Sequence, residues 1–164
     1  MKRIILALLC ILFLIIDNTL LPFLAINTYY PSTLLIFAIC FSIVSDKWEA
    51  VYIGVFSGIL QDIYFFHGFG VNALINMIIC IIAAFVGESI FKEKKLIPVL
   101  ASFALVFVKY ILLYVVLYIF EVKISLQGLF YIGASSMLLT FFMYKWIYKL
   151  SQKEYMKKNW KFNE

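Results

Sequence analysis

Long stretches that are apolar on every side of any helix drawn through them leave this chain few ways to fold in water. From Ile4 to Leu24 the run is broken only by Asp17-Asn18, and comparable runs fill most of the remaining chain. A water-soluble domain of 164 residues would alternate apolar with polar positions at a period of 3.6 or 2.0, because one side of each element meets solvent. Here both sides are apolar, which is the pattern of helices whose solvent is lipid. Composition agrees: 65% of residues are hydrophobic, 14% are charged and mean hydropathy is +1.02, well outside the range of soluble domains. The 17 Phe and 11 Tyr suit lipid-facing surfaces and interfacial belts. The expected fold is all-α, a polytopic transmembrane helix bundle forming a single integral membrane domain over residues 1–164.

Turn-forming and charged clusters divide the chain into six expected spans, near 4–24, 32–46, 50–66, 71–91, 96–120 and 126–147, with boundaries good to about three residues. Asn27 to Pro31 supplies turn residues and a fixed φ, Asp46-Lys47-Trp48-Glu49 supplies charge, and His67-Gly68-Phe69-Gly70 supplies a hairpin. Lys92-Glu93-Lys94-Lys95 and Glu121-Val122-Lys123 divide the rest. The second and third spans are short against the roughly 17 residues of a perpendicular crossing, so five spans or a re-entrant segment is the alternative. Met1-Lys2-Arg3 ahead of an apolar run resembles a signal peptide. The length of that run and the spans after it favour an uncleaved first helix.

With six spans, Lys2, Arg3, Lys47, Lys92, Lys94, Lys95, Lys145, Lys149, Lys153, Lys157, Lys158 and Lys161 fall on one side, and Lys123 on the other. Both termini are therefore expected in the cytoplasm. The net charge of +5 then points to anionic lipid headgroups rather than nucleic acid, since no soluble basic face exists. Residues 148–164 form an expected basic cytoplasmic tail, in which Tyr148, Tyr155 and Trp160 interleave with lysines. Such a tail either lies along the headgroups or simply anchors the topology.

The informative residues inside a bilayer are those that hydrocarbon penalises: Asp17, Asn18, Asp62, Asn72, Asn76 and Lys109. A charge at mid-membrane costs at least about 2.5 kcal/mol, so each is expected to face protein or water. Asp17, Asp62 and Lys109 each lie about 12–13 residues into their spans, roughly 18–20 Å deep at 1.5 Å per residue. Asn72 and Asn76 reach an overlapping depth from the other side. One intramembrane polar layer is expected. It is either a binding cavity or docking surface, or an internal ion pair in which ionised Asp62 meets Lys109 with Asp17 near enough to share it.

Gly54, Gly58 and Asp62 stand at i, i+4 and i+8 on one helix face, a groove that admits a second backbone. The fourth span carries a matching stripe of Ala73, Asn76, Cys80, Ala84 and Gly87. The groove receives a single-span partner helix, a second copy in a homodimer, or that neighbouring stripe. Cys10, Cys40 and Cys80 lie within apolar segments and are expected to pack as small hydrophobes. The one histidine, His67, has no companion ligand, and no nucleophile elbow, phosphate loop or dinucleotide fingerprint occurs. No catalytic residue, metal site or cofactor is expected.

The stretch Gly54-Val55-Phe56-Ser57-Gly58-Ile59-Leu60-Gln61-Asp62, followed by Gly70-Val71-Asn72-Ala73-Leu74, resembles the bacterial rod shape-determining MreD family. Pro31 ahead of Leu34-Leu35-Ile36, the length, the number of spans and the basic tail fit the same family. The resemblance implies a non-enzymatic, multi-pass subunit of the cell-elongation machinery in the bacterial cytoplasmic membrane. It would pair with MreC and work beside RodA, a class B penicillin-binding protein and cytoskeletal MreB in lateral peptidoglycan synthesis. The general plan is also similar to that of the substrate-binding S components of energy-coupling-factor vitamin transporters. Those often carry Ala-xxx-Ala in the first span, whereas here Ala7 is followed four residues later by Ile11.

Overall fold

A computed structural model describes residues 2–25, 30–64, 70–89, 96–119 and 127–153. It is all-helical: α1 Lys2–Thr19, α2 Thr33–Val44, α3 Lys47–Tyr64, α4 Val71–Ser89, α5 Leu96–Ile119 and α6 Gln127–Ser151, with a 3-10 turn Leu21–Leu24 after α1. Each expected span contains one helix, displaced by a few residues. The His67 hairpin, the Lys92–Lys95 and Glu121–Lys123 breaks and the tail beyond Lys153 lie outside the described residues.

Local chemistry sets the ends. Pro22 has no N–H to continue α1, and its ring disfavours helix in the residue before it, so the chain tightens into the 3-10 turn. Ser32, after Pro31, caps α2 by accepting from the Leu35 amide at 3.2 Å. Between α2 and α3 the Asp46 carbonyl accepts from the Glu49 and Ala50 amides, both at 3.0 Å.

Every residue of α2 from Thr33 to Ile43 is buried. An apolar helix with no polar side belongs at a centre, and α1, α3, α4, α5 and α6 all pack on it. Around it the order of neighbours is α1, α3, α4, α5, α6. The ring closes through side chains, where Leu6 and Cys10 of α1 share a cluster with Tyr144 and Ile147 of α6. A second cluster joins Leu35, Ile39 and Ile43 to Ile75, Ile79, Leu105 and Val106. On the outside Ile4, Leu8, Ile15, Leu138 and Phe142 are exposed, Phe142 by 73%. In water that surface would be a liability; against lipid it costs nothing.

Among the described residues three segments are long and apolar enough to cross a membrane: Lys2–Phe23, Val71–Ser89 and Ile97–Val116. The third expected span proves to be an 18-residue helix, whereas α2 has only 12 residues. At 1.5 Å per residue α2 covers about 18 Å of a hydrocarbon core about 30 Å thick. This short helix sits at the centre, with the other five packed around it. At the end of the bundle where α1 begins, Lys2 pairs with Glu49 at 2.5 Å and Lys47 with Glu88 at 3.1 Å. These solvent-accessible clasps contribute about 0–1 kcal/mol each.

Candidate functional site

Asp17 is buried two residues before the end of α1. Its carboxylate accepts from the Thr33 amide at 2.7 Å, the Leu34 amide at 3.1 Å, the Ser32 hydroxyl at 2.7 Å and the Thr33 hydroxyl. The reason lies in α2, whose N-terminus is inside the bundle where its unpaired amides find no water. An anion from the neighbouring helix satisfies them and complements the positive end of the helix dipole.

Asp62 repeats the arrangement one hairpin later. It is buried two residues before the end of α3 and accepts from the Gly70, Asn72 and Ala73 amides, each at 3.0 Å. Gly70 has φ +98°, a left-handed conformation open to glycine at little cost, just before α4 begins. Asn72 thus joins the layer through its backbone. Asn18 stays out of it, its amide donating to Leu14 O of its own helix at 2.8 Å.

Lys109 on α5 is 3% exposed. The expected Asp62–Lys109 ion pair is not formed: Lys109 Nζ donates to Gln61 Oε1 at 2.8 Å, and both Asp62 oxygens accept from amides. Lys2–Glu49 and Lys47–Glu88 do form ion pairs, away from this layer. Three backbone N–H donors in a fixed arc at a helix start outcompete a single ammonium on a long stem. Gln61 is the hub of the layer. Its Oε1 also accepts from Asn76 Nδ2 at 3.0 Å, and its Nε2 donates to Ser32 Oγ at 2.9 Å. The polar layer is therefore a hydrogen-bonded chain from α5 through α3 to the start of α2 and on to Asp17 of α1. Asn76 also reaches Ser57 Oγ at 3.4 Å, while its buried Oδ1 has no hydrogen-bond partner among the described residues.

The glycine groove is occupied from within the chain. A Cβ on Gly54 would lie 2.8 Å from Met77 Cα, and one on Gly58 would lie 2.3 Å from Ala73 Cα, both on α4. Of the occupants open at the sequence level, the neighbouring stripe is the one present. The stripe itself divides: Ala73 and Cys80 meet α3, whereas a Cβ on Gly87 would lie 2.0 Å from Ile43 O at the end of α2.

Sequence reasoning passed over Gln61, Ser32 and Thr33. Gln61 beside Asp62 in an otherwise apolar turn was the available signal, and Ser32-Thr33 after Pro31 is a helix-start signature. The arrangement joins helices; it presents no group of His, Cys, Asp and Glu suited to a metal among the described residues. A family model described as rod shape-determining protein MreD matches residues 1–154. Comparisons with curated proteins and with solved structures give no match.

Proposed function

Since the chain belongs to the MreD family of rod shape-determining proteins, we propose that it is a non-enzymatic subunit of the bacterial cell-elongation complex. In this reading it is a multi-pass protein of the cytoplasmic membrane that pairs with MreC and organises lateral peptidoglycan synthesis beside RodA, a class B penicillin-binding protein and MreB. The family match carries the proposal. The polar layer supports it, because Asp17, Asp62, Gln61 and Lys109 direct their hydrogen bonds to amides and to one another. That is the use of polar groups in a scaffold.

Depletion in a rod-shaped host is expected to give rounded cells, with rod shape restored by the wild-type gene and the chain recovered with tagged MreC. Rods that persist through complete depletion would sink the proposal. Orientation has its own test. In a background lacking Cys10, Cys40 and Cys80, an impermeant thiol reagent applied to intact cells is expected to label His67→Cys and spare Lys94→Cys. The reverse pattern would place both termini outside.

A further inference from the structure

Two helix starts are held alike, the Thr33 and Leu34 amides by Asp17 and the Asn72 and Ala73 amides by Asp62. Among the described residues, the first is also joined to a charge on a distant helix. Lys109 Nζ donates to Gln61 Oε1 at 2.8 Å, Gln61 Nε2 to Ser32 Oγ at 2.9 Å, and Ser32 Oγ to Asp17 Oδ2 at 2.7 Å. The run links α5 to α1, which are not neighbours around the ring. Every donor in it points toward Asp17.

An ammonium only donates and a carboxylate only accepts, whereas the amide between them serves either way round. Ser32 has no slack. Its two lone pairs take the Leu35 amide and Gln61 Nε2, so its single hydrogen is left for Asp17. Were Gln61 turned over, its oxygen would face Ser32 and compete with Asp17 for that hydrogen. Asn76 is a weak guard against the turn: its Nδ2 donates to Gln61 Oε1 at 3.0 Å, but its buried Oδ1 has no partner among the described residues and would receive a turned Gln61 if Asn76 turned too. Only the 3.4 Å contact with Ser57 Oγ opposes that second turn. Lys109 is the strong guard. It is 3% exposed and has no lone pair to offer, so a turned Gln61 would set N–H groups against a buried cation.

We propose that Lys109 is the positioning residue of a directional relay: by holding Gln61 in one sense it secures the Ser32 hydrogen for Asp17 and couples α5 to the junction of α1 and α2. Val108 and Ile111, beside Lys109 on α5, are exposed, so a turn of α5 about its axis is felt at the end of α1. This coupling is independent of the role in cell shape. Amide hydrogen exchange of the full chain in detergent tests it, with the Asp62 clamp as internal control. Lys109→Met is expected to speed exchange at Thr33 and Leu34 about fivefold, as for one lost hydrogen bond, and to leave Asn72 and Ala73 unchanged. Gln61→Glu keeps an acceptor for Lys109 but has no hydrogen for Ser32, and is expected to do the same. In a Ser32→Ala background, where the relay is already cut, adding Lys109→Met is expected to give no further increase at Thr33 and Leu34. Wild-type exchange at Thr33 and Leu34 in both Lys109→Met and Gln61→Glu, equal acceleration at the two clamps, or a full Lys109→Met effect without Ser32 would overturn the assignment.

Discussion

Gly58→Ala and Gly87→Ala are expected to be among the most damaging single-methyl changes in this chain. In an open helix, alanine for glycine would stabilise by about 0.5–1 kcal/mol. Here the added carbon would lie 2.3 Å from Ala73 Cα in the first case and 2.0 Å from Ile43 O in the second. Both obstacles are backbone, so relief requires whole helices to move apart, and overpacking of this kind costs about 1–3 kcal/mol or more. The clash outweighs the propensity. Gly54→Ala, with 2.8 Å to Met77 Cα, is expected to fall between these and a surface change. Gly70→Ala separates the two causes, because among the described residues nothing lies within 4 Å of its added carbon and its φ of +98° is penalised, about 1–2 kcal/mol. Thermal unfolding in detergent ranks the four variants. A Gly58→Ala protein as stable as wild type would mean that α3 and α4 are not in contact at this groove.

A thermodynamic cycle between Gln61 and Lys109 is expected to show strong coupling, and one between Asp62 and Lys109 little. Gln61→Leu removes the oxygen that holds Lys109 Nζ at 2.8 Å and leaves a buried cation without that acceptor, a loss of about 3–5 kcal/mol by analogy with broken buried pairs. Lys109→Met alone removes the charge itself, and Gln61 Oε1 still accepts from Asn76 Nδ2. The double variant should therefore recover part of the Gln61→Leu loss, with a coupling of about 1–3 kcal/mol. Asp62→Asn acts elsewhere. It weakens the acceptors for the Gly70, Asn72 and Ala73 amides, about 1–2 kcal/mol on the scale of lost caps, and should add to Lys109→Met within about 0.5 kcal/mol. Strong coupling between Asp62 and Lys109, with none between Gln61 and Lys109, would reverse the assignment of partners.

Hydrophobic patterning along this chain carries position and depth but not direction around a helix. Lengths of apolar runs and the clusters between them located all six helices, because lipid removes the need for a polar face and leaves the breaks as the only punctuation. The depth of Asp17, Asp62 and Lys109 came from counting residues along each span. Azimuth does not come from counting. Two charges at one depth read as a pair, yet Asp62 is turned toward the start of α4 and Lys109 toward Gln61. Both acids stand two residues from the ends of their helices, at Thr19 and Tyr64, and in retrospect that placement marks them as acceptors for whatever the returning chain presents. Gln61 was passed over beside its charged neighbour Asp62, although an amide, like the Ser32 hydroxyl, both donates and accepts and so can bridge two partners in such a chain. The fate of the glycine groove was similarly ambiguous: Gly54 and Gly58 announce a close approach without naming what approaches.

The short helix buried at the centre of the bundle bears on how the protein is made. A 12-residue segment is too short to be recognised as an independent membrane span, and the donors at its start are met by Asp17 of the helix before it. It therefore has no stable resting place in the bilayer until later helices surround it. For a chain that enters the membrane from its N-terminus, α1 is expected to partition early and α2 to be held back until α3 and α4 can cover it. Such a chain is expected to move several helices into lipid together, with the step most exposed to failure falling while the middle of the protein is still being translated.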